Sequence, residues 1–379
     1  MSLELEPGAV FEKKYRIVER IGKGGMAQIY RVESLDLDSI HYALKLIRIP
    51  DDDPALRADF LARFRREAEI LWRLRGKRNA HIVDVHAYSE TSELGIPYLL
   101  LEYLEGRDLE HLLADRGRLP VDTVLVLARQ MVSALEAIHA AGIVHRDLSP
   151  QNFFICEEPG AEGEVTLHAK LLDFGVAKSL RKSDAMLTHV NTFVGKPAYA
   201  SPEQLMMISD LDARSDQFSL AAIVFEMLTG ERAFMRAGDS PQACCRRVIS
   251  SDPLLEIESA HELPDALRAV LQCALSKQPQ NRYPTTRQFL RALEVEPGNR
   301  QALFHLAAIS YRRGVMEATK RYLSELHEGG EPTAESLWLS IRVEHRLGDR
   351  AAEASLVQQL RRRFPASPEF QAFLQGQYK

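Results

Sequence analysis

His145-Arg-Asp-Leu-Ser-Pro-Gln-Asn152, followed by Asp173-Phe-Gly175, is the stretch on which the fold of this chain turns. Short apolar runs flank both segments, which places their polar residues on loops. Any one of Asp147, Asn152 and Asp173 is an ordinary turn residue. Together they supply a carboxylate that orients an attacking hydroxyl and accepts its proton, with two oxygen ligands for a hard cation. Transfer of a phosphoryl group needs both, and it needs positive charge near the transferred group as well.

Upstream, two charges sit where charges are expensive. Lys45 interrupts the apolar run Tyr42-Ala-Leu-Lys-Leu-Ile47, and Glu67 shares a helical stripe with Phe60, Phe64, Leu71 and Leu74. A buried ammonium and a buried carboxylate each need a partner, and the simplest reading is that they pair. Either alone would be open to snorkelling into solvent. Gly22-Lys-Gly-Gly25-Met-Ala-Gln-Ile29 lies between two strands and before the strand of Lys45. Its glycines let backbone N–H groups approach a phosphate; without the lysine it would read equally well as a hairpin turn.

The order of elements follows the same division. Residues 11–49 read as strands, a helix follows Asp51-Asp-Asp-Pro54 to about residue 75, and strand returns around 82–85 and 98–103. Beyond Gly106 the pattern turns helical, with one helix from about Val121 to Ala141 stopped by Gly142. The expected fold is α+β: a small β-rich lobe (11–104) joined to a larger helical lobe (105–293). From Glu294-Val-Glu-Pro-Gly-Asn299 onward a weak repeat appears. Leu303 and Leu337, Gly314 and Gly348, and Ala318 and Ala352 are each 34 residues apart, the tetratricopeptide period. Residues 294–379 are therefore expected to be a small all-α domain of helical hairpins, with an unrelated helical cap as the alternative.

Composition narrows the class. The chain has 379 residues, 45% hydrophobic and 27% charged, with a formal net charge of −5, which gives no reason to expect a nucleic-acid partner. No apolar run reaches the length of a membrane span, and the start MSLELEPGAV carries no secretory pattern. The four cysteines form no metal-binding spacing and read as small buried hydrophobes, so a cytoplasmic setting is expected.

On these motifs residues 11–293 resemble a eukaryotic-type (Hanks-type) serine/threonine protein kinase, most similar to bacterial members with a Gly-x-Gly-Gly-Met-Ala loop. The resemblance implies ATP as phosphate donor, Mg²⁺ or Mn²⁺ as metal, and protein substrates. It implies that Gly22, Lys23, Gly24 and Gly25 cover the phosphates, and that Lys45 contacts them while pairing with Glu67. Asp147 becomes the catalytic base, with Asn152 and Asp173 on the metal. Leu101 becomes the gatekeeper before a hinge at Glu102-Tyr-Leu104, and Ile29, Ala43 and Phe154 enclose the adenine. Ser201-Pro-Glu203 and Asp216 become scaffold residues; Asp216 is at least an N-cap for the helix after it, and the resemblance implies that it anchors the backbone of the catalytic loop. Thr192, then Thr188, are the expected phosphorylation sites of the activation segment, with Arg146 as the pairing cation; an unmodified polar loop is the alternative.

Two departures from the family look like an exchange. Ser149 stands where a lysine usually follows the catalytic aspartate, and Lys196 stands where a threonine usually follows the glycine at 195. Lys196 is expected either to replace that lysine at the γ-phosphate, with Ser149 bonding near Asp147, or to be a surface lysine that meets the protein substrate. A further departure, the insertion Glu157-Glu-Pro-Gly-Ala-Glu-Gly163, lengthens one connection as an exposed hairpin. The competing function is a pseudokinase scaffold that recruits partners through its tail. Arg346–Pro365 is similar to the last helices of tetratricopeptide proteins of type IV pilus assembly, which implies a pilus-related partner for residues 299–379.

Overall fold

The computed structural model describes residues 4–23, 27–37, 39–47, 54–75, 79–92, 95–159, 165–173, 196–294, 303–304, 307–308, 310–311, 314–328 and 330–378. Their contacts divide the chain into two units, Met1–Pro253 and Leu254–Lys379. The sequence places a boundary near residue 294; the contacts instead group residues 254–293 with the tail.

The first unit opens with β1 (Val10–Phe11), β2 (Tyr15–Lys23), β3 (Ala27–Ser34), β4 (His41–Ile47), α1 (Pro54–Arg75), β5 (Val85–Glu90) and β6 (Pro97–Glu102). The strands form one antiparallel sheet in the order β1-β2-β3-β4-β6-β5. Alternation sets its faces: along β3, Tyr30 and Val32 are buried while Ile29 and Arg31 are half-buried. The helix α1 packs on β5 and β6, burying Phe64, Leu71 and Leu74. Its Arg65, Arg66, Arg73 and Arg75 are exposed, a solvated face.

One strand starts later than the sequence suggests. Residues 81–83 bond to the strand β9 (Val165–Leu171) instead of the first sheet: Val83 N–H donates to the Leu171 carbonyl (3.0 Å), and Leu171 N–H to that of His81 (2.9 Å). This strut lies two residues from Asp173.

Helices follow: α2 (Leu109–Arg116), α3 (Val121–Ala140), α4 (Pro202–Leu205), α5 (Ala213–Thr229) and α6 (Pro241–Ser250). The hairpin of β8 (Phe153–Pro159) and β9, flanked by β7 (Arg107–Asp108), forms a second sheet. Pro159 pairs with Val165, so the insertion does extend a hairpin; residues 160–164 at its tip lie outside the described residues. Gly106, with φ of +146°, leads into this sheet. A Cβ there would lie 2.1 Å from the Ile155 carbonyl oxygen, so only glycine fits.

The apolar helix α5 is buried on every side, and Asp216 in its first turn is completely inaccessible. The expectation that Asp216 caps this helix is corrected. Asp212 is the N-cap, its carboxylate accepting from the Arg214 N–H. The Asp216 carboxylate instead accepts from the backbone N–H groups of His145 (2.8 Å) and Arg146 (2.9 Å) and from His139 Nε2 (2.8 Å). A fully buried charge is tolerable only when its lone pairs are filled in this way.

The second unit contains α8 (Asp265–Ala274), α9 (Thr286–Leu293), α10 (Met316–Glu328), α11 (Ala334–Leu347), α12 (Arg350–Arg363) and α13 (Pro368–Leu374), after the short α7 (Pro253–Glu256) at the division. Gly314 (φ +77°) precedes α10, and Gly348 (φ +80°) separates α11 from α12, the divisions that the 34-residue spacing marks. Leu337, Ile341 and Leu360 form a buried cluster that Trp338, Phe370 and Phe373 close over. The tail is thus helical and packed; a tetratricopeptide hairpin as such is not established by it. Among the described residues no helix is long and apolar enough to cross a membrane.

The two aspartates of α5 separate capping from anchoring. Asp216→Ala leaves two buried backbone donors unfilled and is expected to cost about 3 kcal/mol or more. Asp212→Ala removes a cap, for about 1 kcal/mol. Urea unfolding followed by circular dichroism measures both, and equal losses would show that Asp216 is no more than a cap.

Candidate active site

Directly opposed residues in an antiparallel pair share a face of the sheet. Gly22 pairs with Ile29, Ile29 with Lys45, Lys45 with Leu99, and Ala43 with Leu101. The register therefore gathers Gly22, Ile29, Ala43, Lys45 and Leu101 on one face, as a ligand-covering sheet would require. Leu101 is buried, while Ile29, Ala43, Leu104 and Phe154 are half-buried apolar groups. Lys23 ends β2; Gly24 and Gly25 lie outside the described residues.

Glu102 behaves differently from a simple hinge residue. Its N–H donates to the Asp84 carbonyl (3.0 Å), and its carboxylate accepts from the Asp84 N–H (2.7 Å) and from Lys170 Nζ (2.7 and 2.8 Å). Glu102 is a strut between β6 and β9. These bonds engage its side chain and N–H.

Lys45 is the hub. Its Nζ donates to Glu67 Oε1 at 2.8 Å and to Asp173 Oδ1 at 2.6 Å, tying β4 to α1 and to the residue two beyond β9. The pairing expected from two misplaced charges is present, with a third partner. Burial by itself lowers the Lys45 pKa, but the carboxylates of Asp173 and Glu67 more than reverse this and keep the ammonium charged. Burial, then the negative charge of Asp173, raises the Glu67 carboxyl against the pull of Lys45. Desolvation also opposes ionisation of Asp173, yet the charge and hydrogen bond of Lys45 outweigh it and hold its pKa below the usual range. Half of the Asp173 side chain is open to solvent, which limits how far desolvation acts on it.

The loop after α3 supplies the remaining groups. Arg146 adopts φ of +67°, a left-handed conformation costly for a side chain of its size. The Asp216 carboxylate holds the two amides that lead into this kink, and the His145 ring bonds the Asp173 carbonyl, joining the two loop motifs. Burial lowers the His145 pKa, which keeps the ring neutral. Asn152 Nδ2 donates to the Asp147 carbonyl at 2.6 Å. That bond engages the amide nitrogen and so fixes the orientation of the amide.

Ser149 is buried and accepts a hydrogen bond from Lys196 Nζ at 3.2 Å. The two departures from the family pattern therefore meet in space. Sequence reasoning missed the clamp around Lys196. Gln204 Nε2 donates to the Arg146 carbonyl (2.6 Å), and the Tyr199 hydroxyl donates to Glu226 Oε2 (2.5 Å) on α5. Burial and the Glu226 charge raise the Tyr199 pKa, so its hydroxyl stays a donor. Only Glu226, an acid inside the apolar run of α5, was a signal visible beforehand. Phe174, Gly175, Thr188 and Thr192 lie outside the described residues.

Comparison with known proteins agrees with this geometry. The protein kinase domain family matches residues 15–292. A probable serine/threonine-protein kinase of Clostridium perfringens is 30% identical over 287 residues, covering 76% of this chain and 39% of its own length. Serine/threonine-protein kinase A of Synechocystis is 33% identical over 289 residues, covering 74% of this chain and 53% of its own. The chain thus spans about half or less of the length of these curated relatives. The crystal structure of the Mycobacterium tuberculosis PknI kinase domain, as a double mutant, superposes with a TM-score of 0.55 at 27% identity, covering 77% of this chain and 98% of that one. A family match over most of the chain, a span that includes Lys45, Asp147 and the residues the fold brings together around them, makes this chain a member of the protein kinase domain family.

Proposed function

We propose that this protein transfers the γ-phosphate of ATP to serine or threonine hydroxyls of proteins, its own activation segment among them. The observation that carries the reading is the Lys45 ammonium held between Glu67 and Asp173. It keeps a fixed cation on the sheet face formed by Gly22, Ile29 and Ala43. On this reading Lys45 receives the α- and β-phosphates, and Ile29, Ala43, Leu104 and Phe154 receive the adenine.

The donor set suits a hard divalent cation. Asp173 offers a half-exposed carboxylate, and the Asn152 amide is oriented with its oxygen left to accept. Asp173 and Asn152 would hold Mg²⁺, which when bound neutralises charge on the phosphates. Asp147, on the kinked loop anchored by Asp216, orients the acceptor hydroxyl and takes its proton. Retention of every one of these groups argues against a pseudokinase scaffold.

Thr192 and Thr188 are proposed as self-modified sites, read through Arg146 beside the catalytic aspartate. For the tail, the grouping of α8 and α9 with α10–α13 supports a packed cap over a freely linked docking module. A protein partner, pilus-related or not, would then meet the outer surface of that unit.

Mass spectrometry of protein incubated with Mg·ATP is expected to show added phosphate on residues 188 or 192. Asp147→Asn should reduce incorporation by about 10²–10⁴-fold; a variant as active as the parent would sink the kinase reading. Truncation after residue 298 is expected to lower solubility and melting temperature. An equally stable truncated protein would favour a separable docking module.

A further inference from the structure

We infer that Lys196 is a catalytic residue that supplies the positive charge over the transferring phosphoryl group, delivered from the activation-segment side of the site. This rests on the kinase reading above and deepens it. Lys196 Nζ lies 3.2 Å from the Ser149 hydroxyl, two residues after Asp147. Arg146, Asp147, Lys196 and Tyr199 line one small cavity of about 10 Å³, no more than a single water fills. A lysine serving only solubility would extend its ammonium into water. Lys196 is half-buried instead, with its ammonium on a buried hydroxyl next to the proton-accepting carboxylate.

The position is built by packing. Tyr199 N–H donates to the Lys196 carbonyl at 3.2 Å, closing a turn over residues 196–199. The Tyr199 hydroxyl fastens that turn to Glu226 on α5. Ser201 then caps α4 through Gln204, whose amide reaches the Arg146 carbonyl. The segment that carries Lys196 is thus fixed both to α5 and to the loop that carries Asp147. Tyr199 and Gln204 are positioning residues; Lys196 is the group that would touch the phosphate.

In the transfer step the acceptor oxygen bonds to Pγ while the bond from Pγ to the β-phosphate oxygen breaks. The electron pair of that bond leaves with ADP, and the acceptor proton passes to Asp147 and then to solvent. Charge spreads over the three equatorial oxygens, and a pre-placed ammonium stabilises it without reorganisation. Lys196 neither gives nor takes a proton. Ser149 holds the ammonium in place as a neutral hydrogen-bond acceptor, and the cation reaches the site only when the 196–199 turn is docked.

The test compares the parent, Asp147→Asn, Lys196→Ala, Lys196→Thr and the exchange variant Ser149→Lys with Lys196→Thr. Casein phosphorylation gives kcat and KM, and calorimetry gives the Kd of ADP. Both single Lys196 variants are expected to lose kcat by about 10²-fold or more, with unchanged casein KM and ADP affinity. The exchange variant is expected to recover at least about tenfold over Lys196→Thr, because the cation returns from position 149. Near-parental kcat in Lys196→Ala overturns the inference. So does a raised casein KM at constant kcat, which would make Lys196 a substrate-docking lysine. Loss of ADP binding would make its role structural, and an exchange variant no better than Lys196→Thr would deny that the two positions share one task. A parent as inactive as Asp147→Asn defeats the kinase reading itself and this inference with it.

Discussion

A single buried carboxylate organises the catalytic loop. Asp216 sits inside a helix with no exposed face and accepts from the amides of His145 and Arg146 and from the His139 ring. That carboxylate holds two successive amides, and the chain turns immediately after them at Arg146, with φ of +67°. The left-handed conformation costs about 1–2 kcal/mol for a non-glycine residue. Hydrogen bonds to a charged, water-free acceptor offset it. Everything downstream inherits the direction set there: the Asp147 carboxylate, the buried Ser149 and the Asn152 amide that bonds back to the Asp147 carbonyl.

The charges are arranged by the same logic of substitution for water. Lys45 shares its ammonium between two carboxylates that experience different surroundings. Glu67 is nearly enclosed, so burial raises its pKa; Asp173 is half open, and the lysine wins. Both carboxylates thus serve the lysine, and Asp173 also keeps an ionised edge toward solvent. The strut from residues 81–83 to β9 holds the strand that ends just before Asp173.

A second anchoring system lies on the other side of Asp147. Tyr199 and Gln204 connect the end of the activation segment to α5 and to the kinked loop. A cation carried on the catalytic loop would be present whatever the activation segment did. Lys196 is carried by the segment, and its bond to Ser149 joins that turn to the loop of Asp147.

The sequence by itself pointed to the fold family, to the acid, amide and lysine proposed for the chemistry, and to the lobe order. These follow from residue types that cannot be placed at those spacings without partners: Lys45 in an apolar strand, Glu67 on an apolar stripe, three oxygen donors on two loops. The glycines at 314 and 348 likewise marked helix ends, since both require a left-handed turn. That Asp216 anchors the loop was already implied by the resemblance. Tertiary structure decided which acid caps α5, because Asp212 and Asp216 are chemically identical and differ in burial. It alone turned Glu102 inward onto Lys170, closed the 81–83 strut and brought Lys196 to Ser149. Each of those joins residues far apart along the chain, and no local pattern encodes a distance of that kind.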